Sequence, residues 1–134
     1  MKKTNKRGIA KRILLIILSL IFLLVVIVML NPLRRSQEAI KRSILKQTPI
    51  SSSMEEVIEV IERKEWDVRY GDIDYNRGYT DRDTYEVVGV KSIRACIGSY
   101  SDFILFTTYV SVFWGFDEEG KLIDVYIWKD ISSV

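Results

Sequence analysis

Two stretches near the carboxyl end, FILFTTYVSVFWGF (Phe103–Phe116) and KLIDVYIWK (Lys121–Lys129), decide the fold. In both, side-chain character alternates with the period of a β-strand whose two faces meet different surroundings. In the first, Ile104, Phe106, Thr108, Val110, Val112 and Trp114 share one face, and Phe103, Leu105, Thr107, Tyr109, Ser111 and Phe113 share the other. In the second, Ile123, Val125 and Ile127 make the aliphatic face, while Leu122, Asp124, Tyr126 and Trp128 make its reverse. Asp117-Glu118-Glu119-Gly120 between them reads as a turn, with glycine where a positive φ is needed.

Matching faces must oppose each other, so even positions on the first strand meet odd positions on the second. A four-residue loop then pairs Trp114 with Ile123, Val112 with Val125 and Val110 with Ile127. It leaves Tyr109 opposite Trp128, and Ser111 opposite Tyr126, on the second face. An upstream strand over residues 86–97 offers Ile93, Ala95 and Ile97 to the same core, with residues 98–102 turning the chain. Ser92, Arg94 and Cys96 then join the second face. A further strand over residues 65–70 sets Trp66 and Val68 against Asp67 and Arg69.

Before the strands, the periodicity changes. Met54, Val57, Ile58 and Ile61 recur at helical spacing, with Glu55, Glu59, Glu62 and Arg63 facing away. Ser52-x-x-Glu55 and Ser53-x-x-Glu56 are both capping boxes, so the helix start is ambiguous by one residue. The fold class expected is α+β: a short amphipathic helix packed on a three- or four-stranded antiparallel meander, spanning residues 48–134. Roughly 85 residues suffice for one modest core, not for two domains. Over residues 48–129, the stretch SSSMEEVIEVIERKEW (residues 51–66) followed by a meander with a late aromatic strand resembles the small cell-envelope domains of the BamE and β-lactamase-inhibitor-protein type. That resemblance implies an extracytoplasmic binding or assembly module without catalysis.

Ile13–Leu30 is 18 residues long, with Ser19 its single polar interruption. As a helix it would cover about 27 Å, close to the hydrocarbon core of a bilayer. The run is longer than a signal-peptide core, and Val28-Met29-Leu30-Asn31-Pro32 offers no small-residue cleavage pair, so a retained anchor is expected. Residues 1–12 form a basic tail with six Lys/Arg, against Arg34, Arg35, Lys41, Arg42 and Lys46 after the span. This bias favours a cytoplasmic amino terminus and an extracytoplasmic folded part. Residues 31–47 read as a basic juxtamembrane helix or linker, near lipid headgroups or simply solvated.

Residues 1–47 hold 11 Lys/Arg and one Asp/Glu, whereas residues 48–134 hold nine against 17. The basic end suits anionic lipid, and the acidic end would repel nucleic acid. There is no histidine, and Cys96 is the only cysteine, which excludes disulfides within the chain, thiolate clusters and a Cys–His nucleophile. No glycine-rich phosphate loop, zinc pattern or nucleophile elbow is present, so neither a cofactor nor an enzyme is expected. In GDIDYNRGYTDRD (Gly71–Asp83), Asp72, Asp74 and Asn76 fit the first calcium-loop positions. Arg77 falls where glycine is required and Asp83 where glutamate is, so a polar edge strand or solvated connection is the better reading. The second face of the sheet is the stronger candidate: Tyr109, Phe113, Tyr126 and Trp128, with Arg94 beside them, have the composition of protein-recognition surfaces. The alternative is that Tyr79, Tyr85 or the juxtamembrane helix covers this face as a minor core. The expected partners are the bilayer and another membrane or envelope protein. An immunity or inhibitor protein against a basic toxin or enzyme, and a membrane-tethered hydrolase using the acidic loop of residues 72–83, are the competing functions.

Overall fold

The computed structural model describes residues 5–102 and 105–133. Phe103 and Ile104, and the start of the basic tail, lie outside the described residues. The first element is helix α1 (Lys6–Met29), capped by the Asn5 side chain and with no buried residue. It is long and apolar enough to cross a membrane. A 3-10 turn (Pro32–Arg34) leads to helix α2 (Gln37–Gln47), and helix α3 (Met54–Arg63) follows. The strands are β1 (Ile73–Asp74), β2 (Tyr79–Thr80), β3 (Val87–Val88), β4 (Lys91–Asp102), β5 (Phe106–Phe116) and β6 (Leu122–Ser133). One antiparallel sheet has the order β1-β4-β5-β6, and β2-β3 is a separate two-stranded ribbon. The class is α+β.

The core lies between this sheet and helices α2 and α3. Ile93, Ala95, Val110, Val112, Trp114, Phe116, Leu122, Val125 and Ile127 face Ile40, Ile44, Met54, Val57 and Ile61. Trp114 stacks on Trp66 at 6.1 Å between ring centroids. Its indole N–H donates to Thr48 Oγ1 at 3.0 Å, so the polar end of the largest core side chain is satisfied. Ser53, not Ser52, caps α3: its hydroxyl accepts from the Glu56 N–H while the Glu56 carboxylate accepts from the Ser53 N–H.

Helix α2 is a layer of the fold and not a linker. Ile40 and Ile44 are buried in the core. Gln37 donates to the Ile127 carbonyl at 3.2 Å, and Lys41 pairs with Asp124 at 3.0 Å, holding the helix along β6. The boundary expected at Thr48 therefore falls inside the folded unit. The two isoleucines one helical turn apart are what draw a basic segment onto the sheet.

The strand faces follow the parity argument, but both registers shift. Trp114 pairs with Val125 and Val112 with Ile127, two residues beyond the expected partners. The cause is a bulge at Gly115/Phe116, where Phe116 pairs with Leu122 and Ile123 is left over. Leu122 consequently enters the core, while Ile123 is 43% exposed. The turn itself forms as expected: Gly120 has φ 76°, and the Asp117 carboxylate accepts from the Glu119 and Lys121 amides. Residues 98–102 do not turn. They extend β4 to Asp102, which pairs with Phe106, with a bulge between Cys96 and Gly98. Ile93 accordingly meets Trp114, and Ala95 meets Val112. The expected strand over residues 65–70 reduces to a single bridge, Asp67 to Cys96, with Trp66 and Val68 turned toward the core. Val87 and Val88, expected to begin the long strand, instead pair with Tyr79 and Thr80.

Candidate functional site

The reverse face of the sheet is built from Arg94, Cys96, Tyr109, Ser111, Phe113, Tyr126 and Trp128, as period 2 requires. Phe113 and Tyr126 are direct cross-strand partners, with ring centroids 6.1 Å apart. The structure divides this face into a covered part and an open part.

The covered part lies under the β2-β3 ribbon. Tyr79 is only 4% exposed. Its ring lies 5.9 Å from Phe113 and 6.1 Å from Tyr126. Gly115 is what admits it, because a Cβ there would stand 2.8 Å from the Tyr79 ring. Around this contact, the Arg82 guanidinium lies 4.4 Å over the Trp128 ring, and the Tyr126 hydroxyl donates to Asp83 at 3.2 Å. Burial pushes the Tyr79 phenol well above its ordinary range, with Asp124 and Asp81 adding to the effect. Tyr126 is raised as well, by burial and then by Asp83. Three of the five expected contact residues, Phe113, Tyr126 and Trp128, are thus partly or wholly engaged by the protein's own loop. Tyr79 is the residue that covers them; Tyr85 is exposed.

The open part surrounds Tyr109, which is 46% exposed, and the exposed Arg94, whose guanidinium lies 5.3 Å from the Phe113 ring. Between them is a cleft of about 290 Å³ with Cys96 and Ser111 on its floor. Asp67, Arg69, Asp72 and Asp130 stand around it. The wall beside β4 is tied by paired amide–carbonyl bonds between Asp67 and Cys96, at 3.0 and 2.9 Å, and by Arg94 N–H to the Asp72 carbonyl at 2.8 Å. Asp72 also accepts from the Arg69 amide at 2.9 Å. The exposed Asp67–Arg69 pair, at 3.4 Å, adds little rigidity. Three carboxylates and two guanidinium groups around one aromatic ring can hold a polypeptide segment that carries both amide and charged groups.

The acidic stretch is dispersed over these two parts. Asp72 stands at the cleft, Ile73-Asp74 forms the edge strand against β4, and Asp83 lies over Tyr126. Asp74 accepts from the Asn76 amide, and Asp81 from the Asp83 and Thr84 amides, so each shapes its own turn. Among the described residues, no three acidic, histidine or cysteine side chains converge to hold a metal ion. The role of Tyr79 was legible in one sequence feature, the glycine inside FWGF, since glycine within a strand marks close approach by another group. Asp130 and Asp67 follow from the same parity that places Tyr109 and Arg94.

The structure thus defines a small α+β domain behind an apolar amino-terminal helix that fits a membrane anchor or a signal segment. No family model, curated protein or solved structure matches the chain.

Proposed function

We propose that this chain is a non-enzymatic, single-pass membrane protein whose domain stands outside the cytoplasm and binds another membrane or envelope protein. The open part of the reverse face is its contact surface. The observation that carries the reading is Tyr109, a large aromatic side chain 46% exposed beside Arg94 over a concave floor, while the other aromatic residues of that face are engaged from within. Exposed aromatic–arginine clusters at a depression are the usual centres of binding energy in protein interfaces. The acidic rim of the cleft favours a partner that presents basic side chains. The resemblance of residues 48–129 to BamE-type domains supports the same class of role.

A photocrosslinking residue at position 109, introduced into the full chain in its native membrane, tests this. A discrete protein adduct is expected from position 109 and none from position 118, in the distant β5–β6 turn. Arg94→Ala should lower the yield at least several-fold while shifting stability by less than about 0.5 kcal/mol, since Arg94 is a surface residue. Equal adducts from both positions would remove the assigned surface. A cysteine-directed reagent that cannot cross the membrane, applied to Glu118→Cys in intact cells, reports the side on which the domain lies.

A further inference from the structure

Where β4 passes to β5, the described end of the sheet exposes large apolar side chains. Leu105 is 62% exposed, Phe106 46% and Ile131 68%. Phe106 pairs with Ser133 while Ile131 pairs with Thr108, so Phe106 and Ile131 are diagonal neighbours on one side of the sheet. Hairpin connections are ordinarily polar, rich in Gly, Asn and Asp, because they stand in water. Here the sequence from Phe103 to Phe106 has no polar side chain at all.

This end is also held close to α1. Arg34 donates to the Ser101 carbonyl at 2.6 Å and pairs with the Asp102 carboxylate, the residue directly opposite Phe106. Leu33 packs beside Gly98. Arg34 is four residues beyond Leu30, a span of at most about 14 Å. The hairpin end therefore stands within one short reach of the apolar helix.

Behind the apolar tip comes a row of cations and a phenol. Arg34 lies 4.9 Å over the Tyr100 ring, and Lys129 lies 5.3 Å from it. Lys129 also donates to the Arg35 carbonyl at 2.6 Å. Aliphatic and phenyl groups outermost, then Tyr, Arg and Lys, is the order of side chains met on leaving a bilayer through its headgroups. The Asp102 carboxylate beside the tip is neutralised by Arg34.

We propose that the β4–β5 hairpin end is a second membrane contact, in which Leu105, Phe106 and Ile131 enter the interfacial layer of the leaflet from which α1 emerges. The proposal rests on α1 being embedded. With two contacts the domain is held at a fixed tilt to the bilayer.

The test uses the full chain in phosphatidylcholine vesicles containing phosphatidylglycerol, with Cys96→Ser as background. An environment-sensitive fluorophore is attached through Leu105→Cys, Glu118→Cys or Ile21→Cys, and quenched by lipids bearing a nitroxide near the top of the acyl chain. The probes at residues 105 and 21 should be blue-shifted and quenched several-fold more than that at 118, whatever the protein-to-lipid ratio. Quenching at 21 with none at 105 beyond the level at 118 would overturn the hairpin contact and leave the anchor standing. Shielding at 105 that grows with protein density, without lipid quenching, would overturn it in favour of a second copy as occupant. Failure at 21 would remove the anchor and the hairpin contact together.

Discussion

One face of the sheet is buried beneath two helices, the other only in part and by a ribbon of two short strands. On the first face, apolar side chains from α2, α3, β4, β5 and β6 interlock around Trp114. On the second, a single tyrosine of the β2-β3 ribbon partly covers Phe113 and Tyr126, while Tyr109 stays in water. The contrast shows that alternation assigns each side chain to a face but does not say how that face is finished. Where helices lie over a face it is packed as core, whereas the face finished by a short ribbon keeps an open remainder beside Tyr109.

The largest expected effect breaks the first face. Trp114→Ala removes the stack on Trp66 and the donor to Thr48, and should cost about 3–5 kcal/mol in denaturant unfolding of the full chain in detergent. A loss below about 1 kcal/mol would mean that the helices are not packed as described. Tyr79→Ala acts on the second face alone. It should cost about 2 kcal/mol and open residues 75–90 to proteolysis while amide protection in β5 persists. Loss of protection in β5 with it would make the two faces one cooperative unit.

A smaller effect separates them by pH. Tyr79 and Tyr126 hold their protons more tightly folded than unfolded, because burial and nearby carboxylates disfavour the phenolate. Their stabilising effect is complete below the unfolded phenol value of roughly 10 and is lost as pH rises beyond it. Melting temperature should therefore fall above that pH, and Tyr79→Phe should flatten the fall. An unchanged slope would show that ionisation of Tyr79 is not what weakens the covered part.

Much of this was legible in the residues. Period 2 in residues 103–116 and 121–129 gave the strands and, apart from Leu122 and Ile123, their faces, and the serine–glutamate spacing placed the start of α3 to within one residue. What escaped were features set by contacts distant in sequence. The register could not be read because Ile123 is bulged out, a choice made when Leu122 fills the space beside Phe116. Helix α2 reads as basic and soluble except for Ile40 and Ile44, and only the sheet reveals that these two suffice to dock it. For the candidate site, Arg94 and Tyr109 were correctly assigned to the reverse face. Phe113 and Tyr126 share that face, and their partial burial depends on Tyr79, more than 30 residues upstream of Phe113.

Hydroxyl-radical footprinting of the full chain in lipid nanodiscs, resolved by residue, compares the two parts of the reverse face in one experiment. Tyr109 should be oxidised at least several-fold faster than Tyr79, with Phe113 also slow, and Tyr79→Ala should raise the rate at Phe113 without altering that at Tyr109. Equal rates at Tyr79 and Tyr109 in the unmodified chain would contradict the division into a sealed part and an open one.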